Sequence, residues 1–142
     1  MSFYSPGEVA DKTGFSLDTL RYYERVGLLH EIDRTAGGRR RFTEFDVGWL
    51  LMLRCLRDTG MPIAQMLNFA DLTRGSDETV PERLALLQAH DRRIEEQIGR
   101  LREHQAQIRK KITIYRSKQR APSPHVPDHA QPSVRGIPGT IA

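Results

Sequence analysis

Eight consecutive positions carry six side chains able to hydrogen-bond: Ser16, Asp18, Thr19, Arg21, Tyr22 and Tyr23. Sixteen residues further on comes an unbroken triplet, Arg39-Arg40-Arg41. A guanidinium presents donors in a fixed fork that matches phosphate oxygens, while a short carboxylate or hydroxyl can read donors and acceptors set between those phosphates. The chemistry on offer is recognition rather than bond making. A glycine loop that would cradle a nucleotide, a His-Glu metal pair and a nucleophile elbow are all missing from the sequence. His30, His90, His104, His125 and His129 are scattered, and the two at 90 and 104 read as solvent-facing helix residues rather than ligands. No catalytic residue, metal site or cofactor is therefore expected. The single cysteine, Cys55, precludes an intrachain disulfide and leaves two readings, an inert thiol in an apolar core or a reactive one.

Those groups must be held by local structure, and the caps are legible. Ser5-Pro6-Gly7-Glu8 is a capping box with proline in the first turn, so a helix should run from Pro6 to about Thr13 and stop at Gly14. Ser16 should cap a second helix to about Arg25, stopped by Gly27. Two short helices joined through Gly14-Phe15 predict a helix-turn-helix. At 100° per residue, Leu17, Leu20 and Glu24 share the inner side, and Glu24 there calls for an arginine partner from the following segment. Asp18, Thr19 and Tyr22 fall on the outer side, with Arg21 and Tyr23 on the shoulders. Ile32 to Phe42, turning at Gly37-Gly38, predicts a β-hairpin wing carrying the arginine triplet. The same triplet is equally compatible with a solvated loop.

Thr43 and Asp46 form a variant capping box for a helix to Gly60 that is apolar almost all round and so expected at the centre of the head. A further helix restarts at Pro62. From Val80 to Tyr115 a 3,4 spacing sets eleven seam positions, nine of them apolar, with Asp91 and Gln105 the exceptions. Such a stripe on one long helix is a coiled-coil signature and calls for a second copy of the chain. Thr79 and Glu82 are expected to cap its start. The proline-rich remainder, with five of the eight prolines, reads as a disordered tail.

The fold class expected is therefore mainly all-α. It divides into a winged helix-turn-helix domain over 1–74, a linker over 75–79, a dimerisation coiled coil over 80–119 and a tail over 120–142. The formal charge is +4 with a pI near 9.6. Up to Ala70, however, nine Lys/Arg face nine Asp/Glu, so placement of particular arginines rather than bulk charge must argue for a polyanion. No stretch approaches membrane-spanning length and no secretory leader is seen, which implies a cytoplasmic protein.

Tyr4 to Ala10, Thr19 to Glu24, Gly27-Leu28-Leu29, Arg39 to Phe42 and Gly60 to Ile63 together resemble the DNA-binding region of the MerR family of bacterial transcription regulators. The likeness covers residues 3 to about 70. It implies a four-helix winged head, an antiparallel dimer, and a pseudo-palindromic promoter whose overlong spacer is underwound and kinked for RNA polymerase. Carried onto this sequence, Arg21, Tyr22 and Tyr23 would be recognition-helix contacts and Arg39 to Arg41 wing contacts. Ser16, Asp18 and Thr19 complete the set expected to face double-stranded DNA. Metal-responsive branches carry cysteines at the far end of the coiled coil, and this chain has none there. Leu53 to Gly60, with Thr79 to Lys118, resembles instead the aldehyde- and electrophile-responsive AdhR/NmlR branch, which implies a sensing role for Cys55. The alternatives are a regulator of another effector with Cys55 inert, or a nonspecific coiled-coil nucleoid or interaction protein.

Overall fold

The computed structural model describes residues 2–120; the expected tail, from 121 onward, lies outside the described residues. Its element order is β1 (Phe3–Tyr4), α1 (Pro6–Thr13), α2 (Leu17–Val26), β2 (Phe42–Thr43), α3 (Glu44–Asp58), α4 (Ile63–Thr73), a 3-10 turn (Asp77–Thr79) and α5 (Val80–Arg120). The chain divides between Gln97 and Ile98 into two compact units.

The helix starts follow the caps. Ser5 Oγ accepts from the Glu8 amide while the Glu8 carboxylate accepts from the Ser5 amide, and Thr43 and Asp46 reciprocate in the same way at α3. Each pairing satisfies two amides that a helix start leaves without intrahelical partners. Helix α1 ends at Gly14 with φ of +77°, and the amide there returns to the Ala10 carbonyl. Helix α2 ends in the same left-handed way at Gly27. These conformations cost glycine little and an L side chain about 1–2 kcal/mol, which fixes both the helix-turn-helix and the exit toward the wing.

The first unit closes over one core. Val9 from α1, Leu20 and Tyr23 from α2, and Leu50, Leu53 and Leu56 from α3 pack with Leu28, Phe42, Met66 and Phe69. Burying each such side chain contributes about 1.5–3 kcal/mol before ordering costs are set against it. Phe15 meets Tyr23 edge-on at 5.2 Å, and Trp49 stacks on Phe69 at 5.8 Å. A two-stranded antiparallel sheet pairs Phe3 with Thr43 and Tyr4 with Phe42, tying the start of the chain to the strand that leaves the wing. The wing is an irregular hairpin held by one bridge, Arg34 to Arg40, and by amide bonds from Thr35 to Arg39 and from Arg41 to Asp33.

Four expectations need correction. Leu17 is not core: it is 42 % exposed, and the buried face of α2 is Leu20 and Tyr23. Helix α3 is not apolar all round in its surroundings. Val47, Leu50, Leu53 and Leu56 are buried, but Phe45, Leu51 and Cys55 stand exposed, which removes the reading of Cys55 as a core thiol. The Thr79 hydroxyl does not cap α5. It donates to the Leu72 carbonyl and accepts from Arg83 Nε, and Ser76 caps the 3-10 turn instead. His90 does not face solvent. It is 5 % exposed, and its Nε2 lies 2.7 Å from Thr59 Oγ1. Because that hydroxyl donates to the Cys55 carbonyl, His90 must be the donor to it, which leaves Nδ1 an acceptor buried without a partner.

Leu86 and Leu87 join His90 in packing the N-terminal part of α5 onto the core of the first unit. In the second unit the apolar seam of α5 is largely uncovered in a single chain, with Leu101, Ile108, Ile112 and Tyr115 all exposed.

Candidate nucleic-acid interface

Helix α2 offers its first two turns outward. Ser16 Oγ accepts from the Thr19 amide and also donates to Thr19 Oγ1, so the start of the helix is fixed by two contacts to one residue. Asp18 and Arg21 are a turn apart and form an ion pair at 3.3 Å. Both side chains are well exposed, so solvent screens the pair and either partner can be given up to a ligand at little cost. Tyr22 is 40 % exposed, with the Arg25 guanidinium 5.4 Å from its ring centre. Arg21, Asp18, Tyr22 and Arg25 thus form a polar surface on one side of a helix whose other side is buried.

Tyr23 is not part of that surface. Only 4 % of it is exposed, and its ring packs against Phe15. Two neighbouring tyrosines point about 100° apart on a helix, so one reads outward and the other anchors. Fixing α2 through Tyr23 and Leu20 is what lets Tyr22 be presented rigidly.

The arginine triplet also separates. Arg39 is exposed, and its backbone is fixed by the Thr35 hydroxyl and the Thr35 amide. Arg40 is turned inward: its Nε donates to Glu24 at 2.7 Å. Glu24 accepts also from the Ile32 amide, so one carboxylate clasps the middle of α2 to both sides of the wing. Burial alone would push the Glu24 carboxyl up, but the Ile32 amide and the Arg40 guanidinium outweigh it and hold it below the usual carboxylate range. The expected arginine partner of Glu24 is therefore Arg40. Arg41 lies half-buried with its guanidinium 4.2 Å from the Phe3 ring centre, and its Nε is enclosed without a hydrogen-bond acceptor. Of the three, Arg39 has the freest guanidinium.

The turn between α1 and α2 is braced from α3. Arg54 Nη1 donates to the Thr13 carbonyl at 2.7 Å and its Nε to Asp58 at 2.8 Å. Arg54 and Arg57 both lie against the Phe15 ring. Cys55 sits between them in sequence but on the opposite, exposed side of α3, and both guanidinia are committed elsewhere. Sequence reasoning missed this brace, as it missed β1. The one available signal was the pairing of a turn glycine with an arginine on the helix that must cross behind it.

Among the described residues no group of three or more His, Cys, Asp or Glu side chains could hold a metal, and no helix is long and apolar enough to cross a membrane.

The chain has counterparts among known proteins. A sequence profile described as MerR HTH family regulatory protein matches residues 4–68, from β1 into α4. An uncharacterised HTH-type transcriptional regulator of Haemophilus influenzae is 42% identical over 85 residues, which are 60% of this chain and 63% of that protein. The HTH-type transcriptional regulator AdhR of Bacillus subtilis is 36% identical over 80 residues, 56% of this chain and 57% of its own length. The chain thus spans between half and two thirds of these curated relatives. Among solved structures, HiNmlR, described as a MerR family regulator lacking the sensor domain and bound to promoter DNA, superposes with a TM-score of 0.77. That match has 35% identity and covers 83% of this chain and 89% of HiNmlR. With the head matched in sequence and 89% of a solved relative matched in fold at 35% identity, the chain belongs to the MerR family of HTH regulatory proteins, in the neighbourhood of AdhR and NmlR.

Proposed function

We propose that the protein is a cytoplasmic transcription regulator that binds a pseudo-palindromic promoter as a homodimer. In this reading α2 enters the major groove, with Asp18, Thr19, Arg21 and Tyr22 toward base edges and the helix start at Ser16 toward the backbone. Arg39 on the wing neutralises a phosphate beside it, while Arg40 and Arg41 hold the wing in place. The observation that carries the reading is the division of labour on α2: Leu20, Tyr23 and Glu24 fix it from within, and Arg21 and Tyr22 are left outward. The uncovered seam of α5 supports the dimer, since an exposed apolar stripe of this kind is stable in water only against a partner. Two heads on one dimer can distort the spacer between half-sites, and the cost of deforming the DNA is offset by contacts at both ends; RNA polymerase is then the partner that reads the result.

Footprinting on candidate promoter fragments tests the proposal. Arg21→Ala should lose sequence preference, and Arg39→Ala should weaken binding uniformly across sequences. If Arg21→Ala leaves specific binding unchanged, α2 is not the reading element. Protection without sequence preference that simply fades with salt would mark a nonspecific nucleoid binder instead.

The exposed thiol favours a finer reading, that Cys55 senses carbonyl electrophiles. A thiolate there can add to an aldehyde carbon without any rearrangement of the core. Cys55→Ala should keep promoter binding and lose aldehyde-induced transcription; an intact aldehyde response in that variant sinks the reading.

A further inference from the structure

A cavity of about 290 Å³ opens between the segment that follows α2 and helices α3 and α4, with no residue of α2 in its lining. Leu28, Trp49 and Ala70 form its floor, Phe45 one wall, and His30 and Arg74 the mouth. The volume lies at the low end of small-molecule sites and suits a ligand of roughly ten to fifteen non-hydrogen atoms. The indole N–H of Trp49 is already spent on the Leu28 carbonyl, so the ring offers only its apolar surface. Phe45, on the next face of α3, is 75 % exposed, an unusual position for a phenyl ring unless something covers it.

Charge at the mouth is asymmetric. His30 Nδ1 meets the Glu31 carbonyl at 2.8 Å and Nε2 meets Asp46 at 2.6 Å. Both partners are acceptors, so both contacts are satisfied together only by the imidazolium, with each ring nitrogen donating. Burial pulls the His30 pKa down and Arg74 opposes the charge, yet the Glu31 carbonyl and Asp46 raise it on balance. The Asp46 side chain is 3 % exposed and that of His30 51 %, so a ligand arriving from solvent meets the cation and not its counter-ion. Arg74 is 44 % exposed; it donates to Asp71 on its outer side and to the Gly27 carbonyl. Two cations therefore guard an aromatic cavity while their carboxylates lie beneath or outside it.

We propose that this cavity binds a small aromatic carboxylate, its ring between Trp49 and Phe45 and its carboxylate on Arg74, with the His30 charge beside it. As an effector site, the inference rests on the regulator reading above; as a binding site, it does not. His30 begins the segment that leads to Ile32 and the Glu24 clasp, and Arg74 holds the carbonyl of the glycine that ends α2. An occupant whose carboxylate draws on Arg74 thus competes with the contact that holds the end of the recognition helix.

Trp49 is the sole tryptophan of the chain, so its emission reports the cavity directly. The test titrates the full-length protein, without DNA, with 3-phenylpropionate and with its neutral isostere 3-phenylpropanamide at a pH where His30 is charged. A saturable change in emission is expected, with the carboxylate bound roughly ten-fold or more tightly than the amide, the scale of one charge-assisted contact. Arg74→Gln should erase most of that preference. Phe45→Ala, at an exposed position that the fold tolerates, should weaken both probes alike. No saturable change up to roughly 10 mM, beyond the range expected of a ligand this size, overturns the proposal, including the case in which a second copy covers the mouth. Equal binding of acid and amide overturns the carboxylate assignment. A flat titration with an intact promoter footprint removes only the ligand site, and a saturable titration without a footprint removes only the regulator reading.

Discussion

Replacing Glu24 by alanine should detach the wing from the recognition helix. The carboxylate accepts from Arg40 at 2.7 Å and from the Ile32 amide at 3.1 Å, and the two side chains of the pair are 16 % and 25 % exposed. Losing one partner of a fully buried pair costs about 3–5 kcal/mol, and a surface pair under about 1. Hydrogen bonds to a charged group are worth about 1.5–3 kcal/mol. Intermediate burial places the loss near 2 kcal/mol at neutral pH. In a unit of this size that is a fall of about 8–16 °C in melting temperature. Urea denaturation of wild type, Glu24→Ala, Arg40→Met and the double variant would give the loss and, from the cycle, the coupling of the pair. The Glu24 pKa is held down in the folded state, so its contribution is present above the unfolded value near 4.3 and disappears as pH falls through the folded value. Wild type and Glu24→Ala should therefore converge in acid. A loss under about 0.5 kcal/mol at pH 7, the scale of an ordinary surface substitution, or a gap that persists unchanged in acid, would refute the clasp.

The opposite sign holds for His30, whose pKa is raised by the Glu31 carbonyl and Asp46 against its own burial. Its contribution is complete below the unfolded value near 6.5 and fades as pH rises through the folded one, so the deficit of His30→Gln in thermal melts should be larger at pH 6 than at pH 9. His90 is depressed, first by burial and then by Arg93, with Asp91 opposing, so protonation works against the fold as pH drops below about 6.5. His90→Met should flatten that acid limb, and an unchanged limb would mean that the orphaned Nδ1 is not where the proton goes. For promoter DNA, Arg39→Ala removes one phosphate contact from each head of the dimer and should reduce the salt slope by about 1.8, at about 0.9 per contact, read by fluorescence anisotropy across a potassium chloride series. Arg40→Ala should instead act mainly through stability.

Capping chemistry is local, and for that reason Ser5 with Glu8, Thr43 with Asp46, and the stops at Gly14 and Gly27 were legible from sequence alone. Each needs only residues three or four apart. Glu24 was legible as a problem, a carboxylate on the inner side of a helix, but only packing could say that Arg40 rather than Arg39 or Arg41 solves it. The same holds for Tyr22 and Tyr23, chemically identical neighbours divided by where Phe15 lies. Cys55 and His90 misled in complementary ways. An apolar helix suggested burial for a residue that faces outward, and a charged helix suggested exposure for one that faces Thr59 across 31 positions of sequence. Tertiary neighbours decide such positions, and composition of the host helix does not record them.

The brace behind the helix-turn-helix has a consequence for variation of the sequence. A Cβ at Gly14 would lie 2.1 Å from Arg54 Nη1, and the backbone there already has a φ of +77°. Gly14→Ala therefore incurs two separate costs, displacement of a guanidinium and a strained backbone. Shortening Arg54 would relieve only the first, while freeing the Thr13 carbonyl and uncovering Phe15. In a deep mutational scan, positions 14 and 54 should thus show a double defect smaller than the sum of the two single ones, because a guanidinium already displaced by alanine at 14 has less left to lose. The backbone strain of alanine at 14 remains whatever stands at 54. Two sites 40 residues apart in the chain then vary as a coupled pair.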